Sequence, residues 1–179
     1  MFMKKTIIAI LLLAILVVCG ILLLKGKTPI QGQNSIQTNK LQGAVNVCEA
    51  IPKEKISQFL GKEINRTEVA TNKINPEPSC FYYIGTKTVY LELNRKSDIN
   101  EQLNGWKILG FTVQEEPQIP LKNFVVYTKE GKVRRIYLII DKKTFLTVDN
   151  WGLGLTKEEE LGFVSKLSGY LKSEFGAKL

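Results

Sequence analysis

The chain opens on a hydrophobic run unlike anything that follows it. Thr6 to Leu24 (TIIAILLLAILVVCGILLL) carries no charge, and lysines frame it: Lys4 and Lys5 before, Lys25 and Lys27 after. Wound as a helix, a run of that length reaches about 28 Å, close to the hydrocarbon thickness of a bilayer. It has no polar face to turn toward water, so residues 6–24 read as a transmembrane anchor and not as a buried core helix. Residues 1–5 are then a short cytoplasmic tail. Residues 25–46 (KGKTPIQGQNSIQTNKLQGAVN) are rich in Gln, Asn, Gly and Lys. They bury too little apolar surface to offset their ordering entropy, which predicts a flexible stalk.

From residue 47 the pattern breaks into short periodic segments. Pro52 to Gly61 predicts a helix, with Ile56, Phe59 and Leu60 on one face and Gly61 as a left-handed stop. Cys80–Ile84 and the alternating Thr88–Leu93 read as two strands joined at Gly85-Thr86. Ser97–Asn104 suggests a short helix capped by Ser97 or Asp98, and Trp106–Val113 a further strand. Phe124–Thr128, Val133–Ile140 and Thr144–Val148 follow as strands, with tight turns at Glu130-Gly131 and at Asp141-Lys142-Lys143. Lys157–Phe175 is the clearest element. Thr156 and Glu159 form a capping box, and Leu161, Val164, Leu167, Leu171 and Phe175 line one side. The expected fold is α+β: an N-terminal transmembrane helix, then an extracytoplasmic domain (47–179) built as an antiparallel sheet with helices packed on one face.

Charge refines this picture. The net charge of +8 looks like a nucleic-acid signature, yet five lysines and no acid lie before residue 47. Beyond that point twenty basic residues face seventeen acidic ones. The excess belongs mostly to the anchor and stalk, where cations suit anionic headgroups, and no nucleic-acid partner is expected. Lysine counts on the two sides of the anchor nearly balance, so the short tail and the cysteines decide its orientation. The N-terminus is cytoplasmic in a single-pass cell-membrane protein.

Cys48 and Cys80 are the only cysteines outside the anchor. On the oxidising side of a membrane they pair and tie the start of the domain to its sheet; in a cytosol they would be two free thiols. The export implied by the apolar run favours the bond. Three fates of that run stay open: an uncleaved anchor, lipidation at Cys19, or cleavage. The anchor is preferred, because Ile21–Leu24 extends the run past Val18-Cys19-Gly20 and Val18 stands where a lipobox needs a small residue. A tethered N-terminus, Cys48 before a short helix ending in Leu60-Gly61, and Cys80-Phe81-Tyr82 resemble bacterial membrane-anchored envelope proteins and lipoproteins. That resemblance implies an envelope location and brings no active site with it.

Catalytic chemistry finds little purchase. The chain has no histidine, which removes imidazole acid–base catalysis and the commonest zinc ligand. No metal site and no cofactor are expected, and no catalytic residue is assigned. Glu115 and Glu116, with Asp98 and Glu101 upstream, could serve a carboxylate-dependent glycan hydrolase, but neighbours on an extended segment point to opposite faces. Gly152, Gly154 and Thr156 lead into a helix start that could hold an anion, although Glu158-Glu159-Glu160 follow at once. Lys132, Arg134, Arg135, Lys142 and Lys143 gather around two hairpin turns as a possible basic patch for anionic lipid or an acidic envelope polymer. The function expected is a non-enzymatic binding or assembly module. Its partners would be the bilayer, through residues 6–24, and an envelope protein, polymer or small ligand. An envelope hydrolase, or an accessory subunit of a membrane complex, is the alternative.

Overall fold

The computed structural model describes residues 45–71, 79–95 and 97–176. The expected tail, the expected anchor 6–24 and the expected stalk up to residue 44 lie outside the described residues. Among those described, no helix is long and apolar enough to cross a membrane.

Among the described residues, eleven elements follow one another. Helices α1 (Val47–Ala50) and α2 (Lys53–Leu60) lead into β1 (Arg66–Ala70), β2 (Ser79–Ile84) and β3 (Lys87–Asn94). Then come α3 (Ile99–Ile108), β4 (Thr112–Gln114), β5 (Asn123–Tyr127), β6 (Val133–Ile139), β7 (Phe145–Trp151) and α4 (Lys157–Phe175). The strands form one seven-stranded sheet in the order β1-β2-β3-β7-β6-β5-β4. Every neighbouring pair is antiparallel. Two meanders are thus sewn together by the pairing of β3 with β7, Thr88 opposite Trp151 through Asn94 opposite Phe145.

The two faces of the sheet are covered differently. On one, Cys80, Tyr82, Leu91, Leu93, Val125, Ile136, Leu138 and Val148 pack with Val47, Ile56, Val164, Leu167 and Leu171 of α1, α2 and α4. The helix α4 begins at the expected capping box, with Glu159 N–H donating to Thr156 Oγ1 at 3.2 Å and Thr156 N–H to Glu159 Oε2 at 2.8 Å. Gly61 ends α2 at φ 64°, a conformation that a side chain would strain. The hydroxyl of Tyr82, fully buried, donates to the carbonyl of Ile51 at 2.6 Å and fastens α1 to β2.

The other face holds a second, smaller core of Leu103, Val126, Tyr137 and Phe145, with Ile99, Trp106, Phe111, Val113, Phe124 and Ile139 around it. Helices therefore lie on both faces, which corrects the expected one-sided packing. The cause is α3: its Ile99, Leu103 and Trp106 recur at helical spacing and cover the outward side chains of β5 and β6. For the same reason Trp106–Val113 is not a strand. The helix runs on through Trp106 to Ile108, and only Thr112–Gln114 pairs with β5. Two elements had no signal in the sequence, α1 and the edge strand β1, whose first four residues are all exposed. Val45 is 5% exposed and belongs to the core, so the domain reaches back into the end of the expected stalk.

Candidate functional site

The sulfurs of Cys48 and Cys80 are joined, with their Cα atoms 5.1 Å apart. The bond is structural in setting, since Cys80 is fully buried against the main core.

The five residues of the expected basic patch are not one cluster. Strand β6 separates them by about 20 Å, at about 3.3 Å per residue: Lys132 and Arg134 lie at its start, Lys142 and Lys143 beyond its end. Arg135 is committed elsewhere. Its Nε donates to Asp149 Oδ1 at 2.8 Å and its Nη2 to Oδ2 at 2.5 Å, and the Asp149 carboxylate is wholly buried. A register shift between Val126 and Tyr127 leaves Arg134 in a bulge. Arg134 and Arg135 consequently both approach Trp106, their guanidinium carbons 5.9 and 5.5 Å from its ring centre.

The loop of Gly152, Gly154 and Thr156 is a connection built for the helix it starts. Both glycines have positive φ, 75° and 62°, and Thr156 exchanges its bonds with Glu159 in the capping box. The neighbouring Glu160 is buried. Burial pushes its carboxyl up to about 7, the hydrogen bond with Asn150 opposing and the charge of Asp149 adding to the rise. Glu115 and Glu116 diverge, as alternate positions of an extended segment require: Glu115 is exposed and Glu116 buried. The Glu116 carboxylate accepts from Tyr127 Oη, from Gln114 Nε2 at 2.9 Å and from Gln118 Nε2 at 3.1 Å, with Lys157 Nζ 3.8 Å away. Burial works against its charge, but these bonds outweigh it and hold the carboxyl below its usual range. Every strong contact of that carboxylate is internal.

Among the described residues, one feature with the shape of a binding site lies at the N-terminal end of α3. A cleft of about 840 Å³ opens between the end of β3, the start of α3 and the β6–β7 turn. Such a volume falls in the range of small-molecule sites. Ile99, Phe124, Ile139 and Phe145 supply apolar lining, and Arg95, Lys122, Lys142 and Lys143 supply cations. Two carboxylates share the lining, Asp98 and Asp141. Each is turned to its own backbone: Asp98 caps α3 by accepting from Asn100 N–H at 2.8 Å, and Asp141 accepts from Lys143 N–H at 2.8 Å. Among the described residues no ion pair engages Lys122, Lys142 or Lys143. Lys122 Nζ instead rides 5.7 Å above the ring of Phe124.

Sequence reasoning found half of these cations, Lys142 and Lys143, and missed Arg95 and Lys122. One signal was available. Phe124, Ile139 and Phe145 alternate with core residues on strands that are therefore apolar on both sides, and such strands need cover on both faces. Among the described residues no group of three or more Cys, Asp or Glu is arranged to hold a metal ion. Comparison of the sequence with models of known protein families and with curated proteins, and of the fold with solved structures, finds no match.

Proposed function

We propose that the chain is a non-enzymatic binding module held at the outer face of a cell membrane, and that the cleft beside α3 takes an anionic ligand. The observation that carries the reading is the cleft's lining: Lys122, Lys142 and Lys143, which no ion pair engages among the described residues, stand with two carboxylates that each accept a backbone N–H. A ligand anion there gains charge-assisted hydrogen bonds without displacing an internal partner of the lysines. The uncharged run 6–24 supports the membrane address. The Cys48–Cys80 bond supports the oxidising side of that membrane.

The test is anion-dependent stabilisation of the full chain in neutral nanodiscs. A panel of phosphate, citrate and sugar phosphates is titrated while thermal unfolding is followed. A ligand present at a hundred times its Kd stabilises by about 2.7 kcal/mol. The double variant Lys142→Glu, Lys143→Glu, altered only at exposed positions, loses that response and keeps its basal stability. If no anion shifts the transition, or the variant responds like the parent, the cleft is not an anion site.

A further inference from the structure

The opposite end of α3 carries a different surface. The helix closes in a tight turn, with Leu109 N–H donating to Gly105 O at 3.1 Å, Gly110 N–H to Lys107 O at 3.0 Å and Phe111 N–H to Trp106 O at 3.1 Å. The turn can be this sharp because Gly110 adopts φ 83°. It leaves two large apolar side chains projecting: Ile108 is 85% exposed and Leu109 69%. The face of α3 that packs on the sheet ends at Trp106, so neither residue has a place in the second core.

Several cations belong to the elements beside this apolar tip. Lys107 adjoins it in sequence. Thr112 pairs with Tyr127, which brings the β5–β6 turn alongside, and Lys129 Cε lies 3.6 Å from where a Gly110 Cβ would stand. Lys132 closes that turn, its carbonyl accepting from Thr128 N–H at 2.8 Å. Arg134, exposed, leans toward Trp106. One carboxylate, Glu130, belongs to the same turn. Two exposed aliphatic side chains at a helix end flanked by Lys107, with Lys129 against Gly110 and Arg134 against Trp106, match the chemistry of an anionic bilayer surface. The alkyl groups enter the headgroup boundary, and the cations stay with the phosphates.

We infer that the Ile108–Leu109 tip, together with Lys107 and with Lys129, Lys132 and Arg134 of the neighbouring turn and strand, docks the domain on an anionic lipid surface. The surface is separate from the cleft, which lies at the other end of a ten-residue helix, about 15 Å away along its axis. Docked in this way, α3 stands with its ligand end away from the lipid.

The experiment places an environment-sensitive fluorophore on Leu109→Cys in the full chain, in a Cys19→Ser background with the domain disulfide intact. A second label at Glu63→Cys, an exposed position between α2 and β1, serves as reference. Vesicles are phosphatidylcholine alone or doped with phosphatidylglycerol, each with and without a lipid-borne quencher. The label at 109 is expected to shift to the blue and to be quenched only in the anionic vesicles, while that at 63 stays in water. Neutralising Lys107, Lys129 and Lys132 to Gln lowers the docked-to-free ratio on the order of a hundredfold, at about 1 kcal/mol per charge near the surface. A label at 109 that stays in water on anionic vesicles, or that enters lipid regardless of charge, overturns the inference. A soluble protein in which residues 6–24 do not insert is read the same way, with vesicles added from outside, so failure of the anchor and failure of the dock are told apart.

Discussion

Opening the Cys48–Cys80 bond gives the sharpest test of how this fold is held. The two cysteines are 32 positions apart. The chain-entropy model assigns a loop of this size about 3.7 kcal/mol, taken from the freedom of the unfolded chain. In the folded protein little else depends on the bond. Val47 and Ile51 remain buried around α1, and Tyr82 still donates to Ile51 O. The reduced domain therefore keeps its structure and loses its margin. For a domain of this size, 1 kcal/mol corresponds to about 3–4 °C, so Cys48→Ala with Cys80→Ala is expected to lower Tm by about 10–15 °C. The assay is thermal unfolding of the full chain in a mild detergent, parent against double variant, with near-ultraviolet circular dichroism at 25 °C to check that the native packing survives. A drop smaller than about 4 °C would refute the reasoning, because the bond would then not be limiting the unfolded ensemble. Loss of the native spectrum at 25 °C would refute it in the other direction, by showing that α1 has no hold on the sheet without sulfur.

Two further perturbations probe buried charge. Burial raises Glu160 from 4.5 to about 7, so its contribution to stability is fully present below about pH 4.5 and lost as pH climbs through 7. Allowing for partial contact with water, the loss is about 1–2 kcal/mol. Glu160→Gln is expected to flatten the change in stability between pH 5 and 8 and to raise the value at pH 8; an unaltered slope in urea titrations at the two pH values would argue against it. Asp149→Asn leaves the half-buried Arg135 guanidinium without its counter-charge and is expected to cost about 2–3 kcal/mol, less than a fully buried pair would lose. Pairing that change with Arg135→Met should recover most of the loss, and a double-mutant cycle with no coupling would show that the ion pair is incidental.

How much of this was legible in the sequence depended on how local the signal was. The helix α4 could be read because its capping box, Thr156 with Glu159, and its apolar stripe from Leu161 to Phe175 are local signals within the helix or next to it. The hairpins β2–β3 and β5–β6 were readable from Gly85 and Gly131, both of which take a positive φ. Strand β1 was not. It is an edge strand with one paired neighbour, and exposed residues on both its sides leave no alternation to detect. The length of α3 was misjudged because Trp106 suits a strand as well as a helix, and its partner, Tyr137, is 31 positions away; Trp106 Nε1 donates to that hydroxyl at 2.7 Å. The cleft failed for the same reason. Lys142 and Lys143 form a visible cluster, but Arg95 joins them only through the β3–β7 pairing, and no local pattern encodes that.

The disulfide also fixes how tension would travel. A pull applied at Val45 crosses from Cys48 straight into Cys80, which sits in β2 hydrogen-bonded on both sides. Helix α2 and the edge strand β1, which lie between the two cysteines in sequence, are bypassed by this load path. Force from the N-terminal side therefore meets an interior strand first and spares the rim that would otherwise peel.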